Sequence, residues 1–173
     1  LGVMREHGVG RVDIQSVDIG GPEFAMMYDT RTGYESKVTC QYSIPYSVGA
    51  AAYYGKLGIE EFEESARMDA GLREFIGRIS MRVDDELQAK FPEVFGVVLT
   101  LTLKDGRTFR VQQGTPWGPD KPATKDELAA KFKSLTDGVL SIEEQSEWER
   151  LYRSGFESGG AFERILELTG SKV

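Results

Sequence analysis

Apolar positions recur along this chain with two periods. In 11–19 they alternate, Val12 and Ile14 and then, after one irregularity, Val17 and Ile19. A period of two puts alternate side chains on one face of a strand, so this stretch predicts a strand with one buried face. Ile79, Met81 and Val83 repeat the pattern. It is sharpest at 97–113, where Val97, Leu99, Leu101 and Leu103 alternate with Val98, Thr100, Thr102 and Lys104. Asp105-Gly106 then signals a hairpin turn, and 108–113 returns with Phe109 and Val111 on one side.

Helical signals fill the intervals. Residues 1–8 read as the tail of a helix whose start is missing, ended by Gly8 and Gly10. Residues 47–54 are small and apolar, with Pro45 suited to a first helical turn and Gly55 to a stop. Asp69 caps a predicted helix through Gly77, with Leu72, Phe75 and Ile76 on one face. Thr124-Lys125-Asp126-Glu127 is a capping box before Leu128, Lys131, Phe132 and Leu135, and Asp137-Gly138 ends that helix. Ser141-Ile142-Glu143-Glu144 opens another, 155–160 reads as a break, and 161–168 is a last short helix ending at Gly170. Gly20-Gly21-Pro22 breaks the first strand. After it, 23–37 is polar and reads as a loop or irregular strand, and 87–91 as a short connector closed by Pro92.

The order β, α, α, β, β-hairpin, α, α, α predicts an α+β two-layer sandwich. About four strands would form a mainly antiparallel sheet with helices on one face. The expected division is an α+β part at 1–136 and a helical appendage at 137–173.

Composition narrows the function. A net charge of −7 argues against a nucleic-acid footprint and against anionic membrane surfaces. No apolar run approaches a membrane span, and 1–10 has no signal-peptide layout. Cys40 alone builds no disulfide framework, so the expected home is the cytoplasm. With His7 as the one histidine, a metal site is not expected, and Ser-His-Asp or Cys-His chemistry would need His7 itself. His7 reads as a surface or helix-end residue. The chain carries no complete catalytic set, and no cofactor is expected.

Three ordered stretches resemble a known family. They are Thr32-Gly33-Tyr34-Glu35 with Tyr42-Ser43-Ile44-Pro45-Tyr46-Ser47-Val48 before an Ala-rich run and Gly55; the strand pair around Asp105-Gly106; and Gly114-Thr115-Pro116 followed by Pro122-Ala123-Thr124, Glu127-Leu128 and Lys131-Phe132. Together they resemble the C-terminal domain of the 2-methylcitrate dehydratase (MmgE/PrpD) family, over about 11–135. Val38 to Gln41 look like extra residues within that pattern. The resemblance implies a lid packed on a helical catalytic domain, with a small di- or tricarboxylate between them and metal-independent acid–base chemistry. Dehydration, decarboxylation and epimerisation all occur in the family. It further implies a chain inactive alone and a homo-oligomer. A non-catalytic oligomerisation module is the alternative.

Removing a proton beside a carboxylate, with loss of water or CO₂, needs a base, an acid and cations to hold carboxylates. By its position relative to Tyr46, Tyr28 falls near the family's active-site tyrosine. Ser43, Tyr46 and Arg31 are substrate-binding candidates, and Lys37 is a further cation. Each has a plainer reading. Tyr28 and Tyr46 could be packed aromatics, Ser43 a helix N-cap, and Arg31 and Lys37 solvated surface. Glu60, Glu61, Glu63 and Glu64 read as a solvated helix face, and Trp117 as an exposed loop residue that packs under its loop or on a partner.

Overall fold

The computed structural model describes residues 1–114, 116, 118, 121–154 and 160–170. The chain opens on a short helix, α1 (Gly2–Glu6), and passes through a 3-10 turn (Arg11–Asp13) into β1 (Ile14–Gly21). A second 3-10 helix (Glu23–Tyr28) and a loop lead to α2 (Lys37–Gln41) and α3 (Ile44–Tyr54). Then come α4 (Glu64–Arg67), α5 (Ala70–Ile76), β2 (Ile79–Val83), α6 (Asp85–Lys90), β3 (Val97–Leu103) and β4 (Thr108–Gln113). The strands form one sheet in the order β2-β1-β3-β4. Only the β1–β2 pair is parallel; β1–β3 and β3–β4 run antiparallel. This is the α+β, mostly antiparallel arrangement that the alternation predicts.

Register explains which side is buried. Val17 stands opposite both Ile79 and Leu101, and Leu101 opposite Phe109. These residues share a face with Ile19 and Leu99, and α3 and α5 cover it. Val48, Ala52 and Tyr53 of α3 and Phe75 of α5 pack into the same cluster. The irregularity in the β1 alternation is a register shift between Ile14 and Ser16. The opposite face is polar except where Val98 is buried beside Gly20. Asp18 accepts from Ser80 at 3.0 Å and Arg82 at 2.9 Å, and Arg82 also pairs with Asp84 at 3.1 Å. A sheet with one apolar and one polar face is stable as two layers.

Two local expectations need correction. Gly20 and Gly21 continue β1 instead of breaking it. A Cβ on Gly20 would lie 2.8 Å from Val98 Cγ1 and 3.1 Å from Asp84 Cβ, so crowding rather than a turn requires the glycine. Residues 38–41 lie in α2, which is capped by Ser36 and anchored by buried Cys40. The connector after β2 is α6, whose N-cap Asp84 accepts from Leu87 N at 3.2 Å while Leu87 is fully buried. No helix among the described residues is long and apolar enough to cross a membrane.

The chain divides into two compact units, Leu1–Lys121 and Pro122–Val173. The second holds α7 (Lys125–Thr136), α8 (Ile142–Arg153) and α9 (Ala161–Gly170). Both predicted capping boxes are present, at Thr124 with Glu127 and Ser141 with Glu144. The sequence reading groups α7 with the α+β part; here it falls in the helical unit. Phe132 of α7 stacks on Trp148 of α8 at 3.9 Å, and Lys133 pairs with Glu149 at 2.7 Å. Those contacts tie α7 to its helical neighbours. Trp117 and 155–159 lie outside the described residues.

Candidate functional site

The segment 28–46 carries Tyr28, Arg31, Ser43 and Tyr46, and its local chemistry sorts these four into two groups. Ser43 and Tyr46 belong to the scaffold. Ser43 caps α3, accepting from Tyr46 N at 3.1 Å and donating to the Thr30 carbonyl at 2.5 Å. Tyr46 is fully buried, and its hydroxyl donates to the Glu61 carbonyl at 2.7 Å. Neither hydroxyl is open to a ligand in this arrangement, so capping and packing account for both. An N-cap serine before a proline is a local demand of the helix start. A phenol between two aromatic neighbours, Tyr34 at 5.3 Å and Phe62 at 5.7 Å, is a core demand.

Tyr28 and Arg31 keep free donors. Tyr28 ends the 3-10 helix that follows β1, half-buried, with its ring stacked on Tyr42 at 6.2 Å and edge-on to Phe24 at 5.7 Å. Its hydroxyl has no hydrogen-bond partner among the described residues, whereas those of Tyr34, Tyr46 and Tyr54 are committed to Thr30 O, Glu61 O and Asp69. Arg31 donates through Nη1 to the Ile79 carbonyl at 2.8 Å and pairs through Nε with Asp29 at 2.8 Å. Around Tyr28 lies an exposed aromatic surface. Phe24, Met27, Tyr42 and Phe95 are all exposed, and Phe24 stacks on Phe91 at 5.8 Å.

What holds this loop in place is a residue that periodicity does not reveal. Arg67, at the end of α4, is buried with no carboxylate partner among the described residues. Its guanidinium donates to the carbonyls of Phe62 at 3.0 Å, Tyr34 at 2.9 Å and Glu35. Tyr34 O also accepts the Cys40 thiol at 3.5 Å, and Thr30 O receives both Tyr34 and Ser43 hydroxyls. The loop that presents Tyr28 and Arg31 is thus fixed at Thr30, Arg31, Tyr34 and Glu35. Loops held at several points carry functional side chains well, because little ordering entropy remains to be lost.

The remaining candidates resolve differently. Lys37 pairs with Glu63 at 2.5 Å, so its charge is already answered. His7 stacks on Phe109 at 4.3 Å. Glu60, Glu63 and Glu64 are exposed, but Glu61 is buried, correcting the reading of all four as a solvated face. Its carboxylate closes a turn by accepting from Gly58 N at 2.7 Å, with Lys56 at 3.5 Å. Among the described residues there is no group of three or more His, Cys, Asp or Glu placed to hold a metal ion.

Burial raises the Tyr46 phenol from an ordinary 10.0 to about 12. The fold therefore favours its neutral form. The stability this contributes is whole below pH 10 and is lost as pH rises through about 12. We expect tyrosinate absorbance and loss of helical circular dichroism to rise together over that window. Tyr46→Phe should be less stable at neutral pH, because the Glu61 carbonyl loses its donor, yet its alkaline limb should be flatter. An unchanged alkaline limb would show that another group governs it.

The comparison with known families agrees with this architecture. The description MmgE/PrpD C-terminal domain matches residues 1–154, which takes in the sheet, the clamped loop and α7 and α8. No curated protein matches the chain significantly. By that match over most of its length, the chain belongs to the MmgE/PrpD C-terminal domain family.

Proposed function

We propose that this chain is the α+β lid of an enzyme acting on a small di- or tricarboxylate, with the acid–base set completed by a helical domain. The reaction class is dehydration, decarboxylation or epimerisation next to a carboxylate. One observation carries the reading: the loop clamped by Arg67 and Ser43 presents an unspent phenol, Tyr28, three residues before a cation, Arg31. Loss of water or CO₂ beside a carboxylate needs a proton donor and a cation near one another. In this reading Tyr28 supplies the donor, Arg31 helps hold a carboxylate, and no cofactor is required.

The exposed aromatics around Tyr28 support a partner surface, since clustered exposed Phe, Tyr and Met mark contacts more often than solvent. They also favour the second reading, a non-catalytic oligomerisation module. One experiment separates the two. The 173-residue chain is assayed on 2-methylcitrate and related polycarboxylates, alone and with the helical domain of a family member. The lid reading expects no turnover alone and turnover in the pair. Turnover by the isolated chain would sink it. So would a pair that binds yet turns over none of these substrates, and a self-associated chain in that case would favour the module.

A further inference from the structure

A cleft of about 330 Å³ lies between the 31–35 loop and α5, lined by Arg31, Gly33, Glu35, Arg73 and Gly77 among others. We propose that it is a carboxylate-binding subsite with Arg31 and Arg73 as its donors, which rests on the reading of the substrate as a small polycarboxylate. Both guanidiniums are positioned in advance. Arg31 is held by the Ile79 carbonyl and Asp29, and Arg73 by the Arg67 carbonyl at 3.2 Å and Met68 Sδ at 3.0 Å. These bonds use Nε and Nη1 of Arg31, and Nε and Nη2 of Arg73. The Nη2 of Arg31 and the Nη1 of Arg73 stay unspent. Each arginine thus offers one Nη whose direction is fixed by the bonds of its other nitrogens, which suits a carboxylate better than a mobile ammonium does.

The main chain adds to this. The N–H groups of Gly33, Tyr34 and Glu35 have no acceptor among the described residues. The carbonyl end of α5, which would repel an anion, is blunted. Gly77 N caps Glu74 O at 3.1 Å, and Arg78 N caps Phe75 O at 3.0 Å. Glu35 is the one acid lining the cleft against its two arginines. Asp29 answers the charge of Arg31, so the subsite rests on directed donors, the free Nη groups and the 33–35 main chain, and not on net charge. The volume exceeds what one carboxylate fills, leaving room for an arm of a polycarboxylate and water.

The test uses the full 173-residue chain and tricarballylate, an unreactive tricarboxylate, followed through the amide resonances of Gly33 and Gly77. Saturable shifts at both are expected, with affinity on the order of millimolar for a site lacking the rest of its enzyme. Arg73→Gln and Arg31→Gln should each weaken binding about tenfold, and Glu35→Gln should tighten it. Arg110→Gln, on the polar sheet face, should change nothing. Because Arg31 also holds Ile79 O, Arg31→Lys and thermal melts separate lost binding from lost fold. Absent shifts at Gly33 and Gly77, or equal weakening by Arg110→Gln, overturn the subsite. Phosphate binding there with tricarballylate excluded overturns the carboxylate assignment. The subsite survives if tricarballylate binds while the paired enzyme turns over no polycarboxylate. Turnover without these shifts leaves the lid reading and removes the subsite.

Discussion

Arg67→Met is expected to cost about 2–4 kcal/mol of unfolding free energy, the largest loss from a single polar side chain in this domain. The guanidinium satisfies carbonyls of Phe62, Tyr34 and Glu35, and the residue is only 9% exposed. Hydrogen bonds from a charged donor are stronger than neutral ones, and a buried acceptor left without a donor keeps its desolvation cost. Two features moderate the loss. Tyr34 O retains the Cys40 thiol as a weak donor, and methionine fills much of the arginine's apolar stem volume. Arg67→Lys should recover less than half, because one ammonium cannot span Phe62 on one side and Tyr34 and Glu35 on the other. Urea unfolding measures the size of the effect. Amide hydrogen exchange at 33–36 measures its place, since those residues should open first in the variant. A loss below about 1 kcal/mol with unchanged exchange would mean that the turn holds itself and Arg67 merely fills it.

Much of the frame was legible because its signals are local. The alternation of β3 and β4 across Asp105-Gly106, and the caps at Asp69, Thr124 and Ser141, all appear where short-range pattern and turn chemistry predict them. The failures share a cause. Gly20 reads as a breaker, because nothing in the sequence tells that Val98 of another strand crowds it. Residues 87–91 read as a connector, because the burial of Leu87 that anchors α6 is a tertiary fact. In the site, the family resemblance marked Tyr28, and Arg31, Ser43 and Tyr46 were marked by residue type and place in the segment. Only burial and hydrogen-bond accounting divide them, since Ser43 and Tyr46 spend their hydroxyls on Thr30 O and Glu61 O. Arg67 and Arg73 carried no signal, because their partners are carbonyls 32 and 33 residues away or neighbouring main chain. A short-range pattern cannot show a clamp made of tertiary contacts.

Tyr28→Phe is the sharpest test of the proposed role. In the chain paired with its helical domain, we expect kcat to fall by about 100- to 10,000-fold, the range that a positioned proton donor supplies. The substitution deletes one oxygen. It keeps the ring that stacks on Tyr42 and meets Phe24, and it removes no hydrogen bond among the described residues. Stability should therefore stay within about 0.5 kcal/mol of the parent. That separation matters, because Tyr46→Phe at the buried phenol should lower stability while Tyr28→Phe should not. The KM should move little if the hydroxyl acts in the transition state, because ground-state binding then rests on Arg31 and its neighbours. A large KM rise with kcat unchanged would make Tyr28 a binding residue. An enzyme indifferent to the change would return Tyr28 to the exposed aromatic surface, where its ring alone has a purpose.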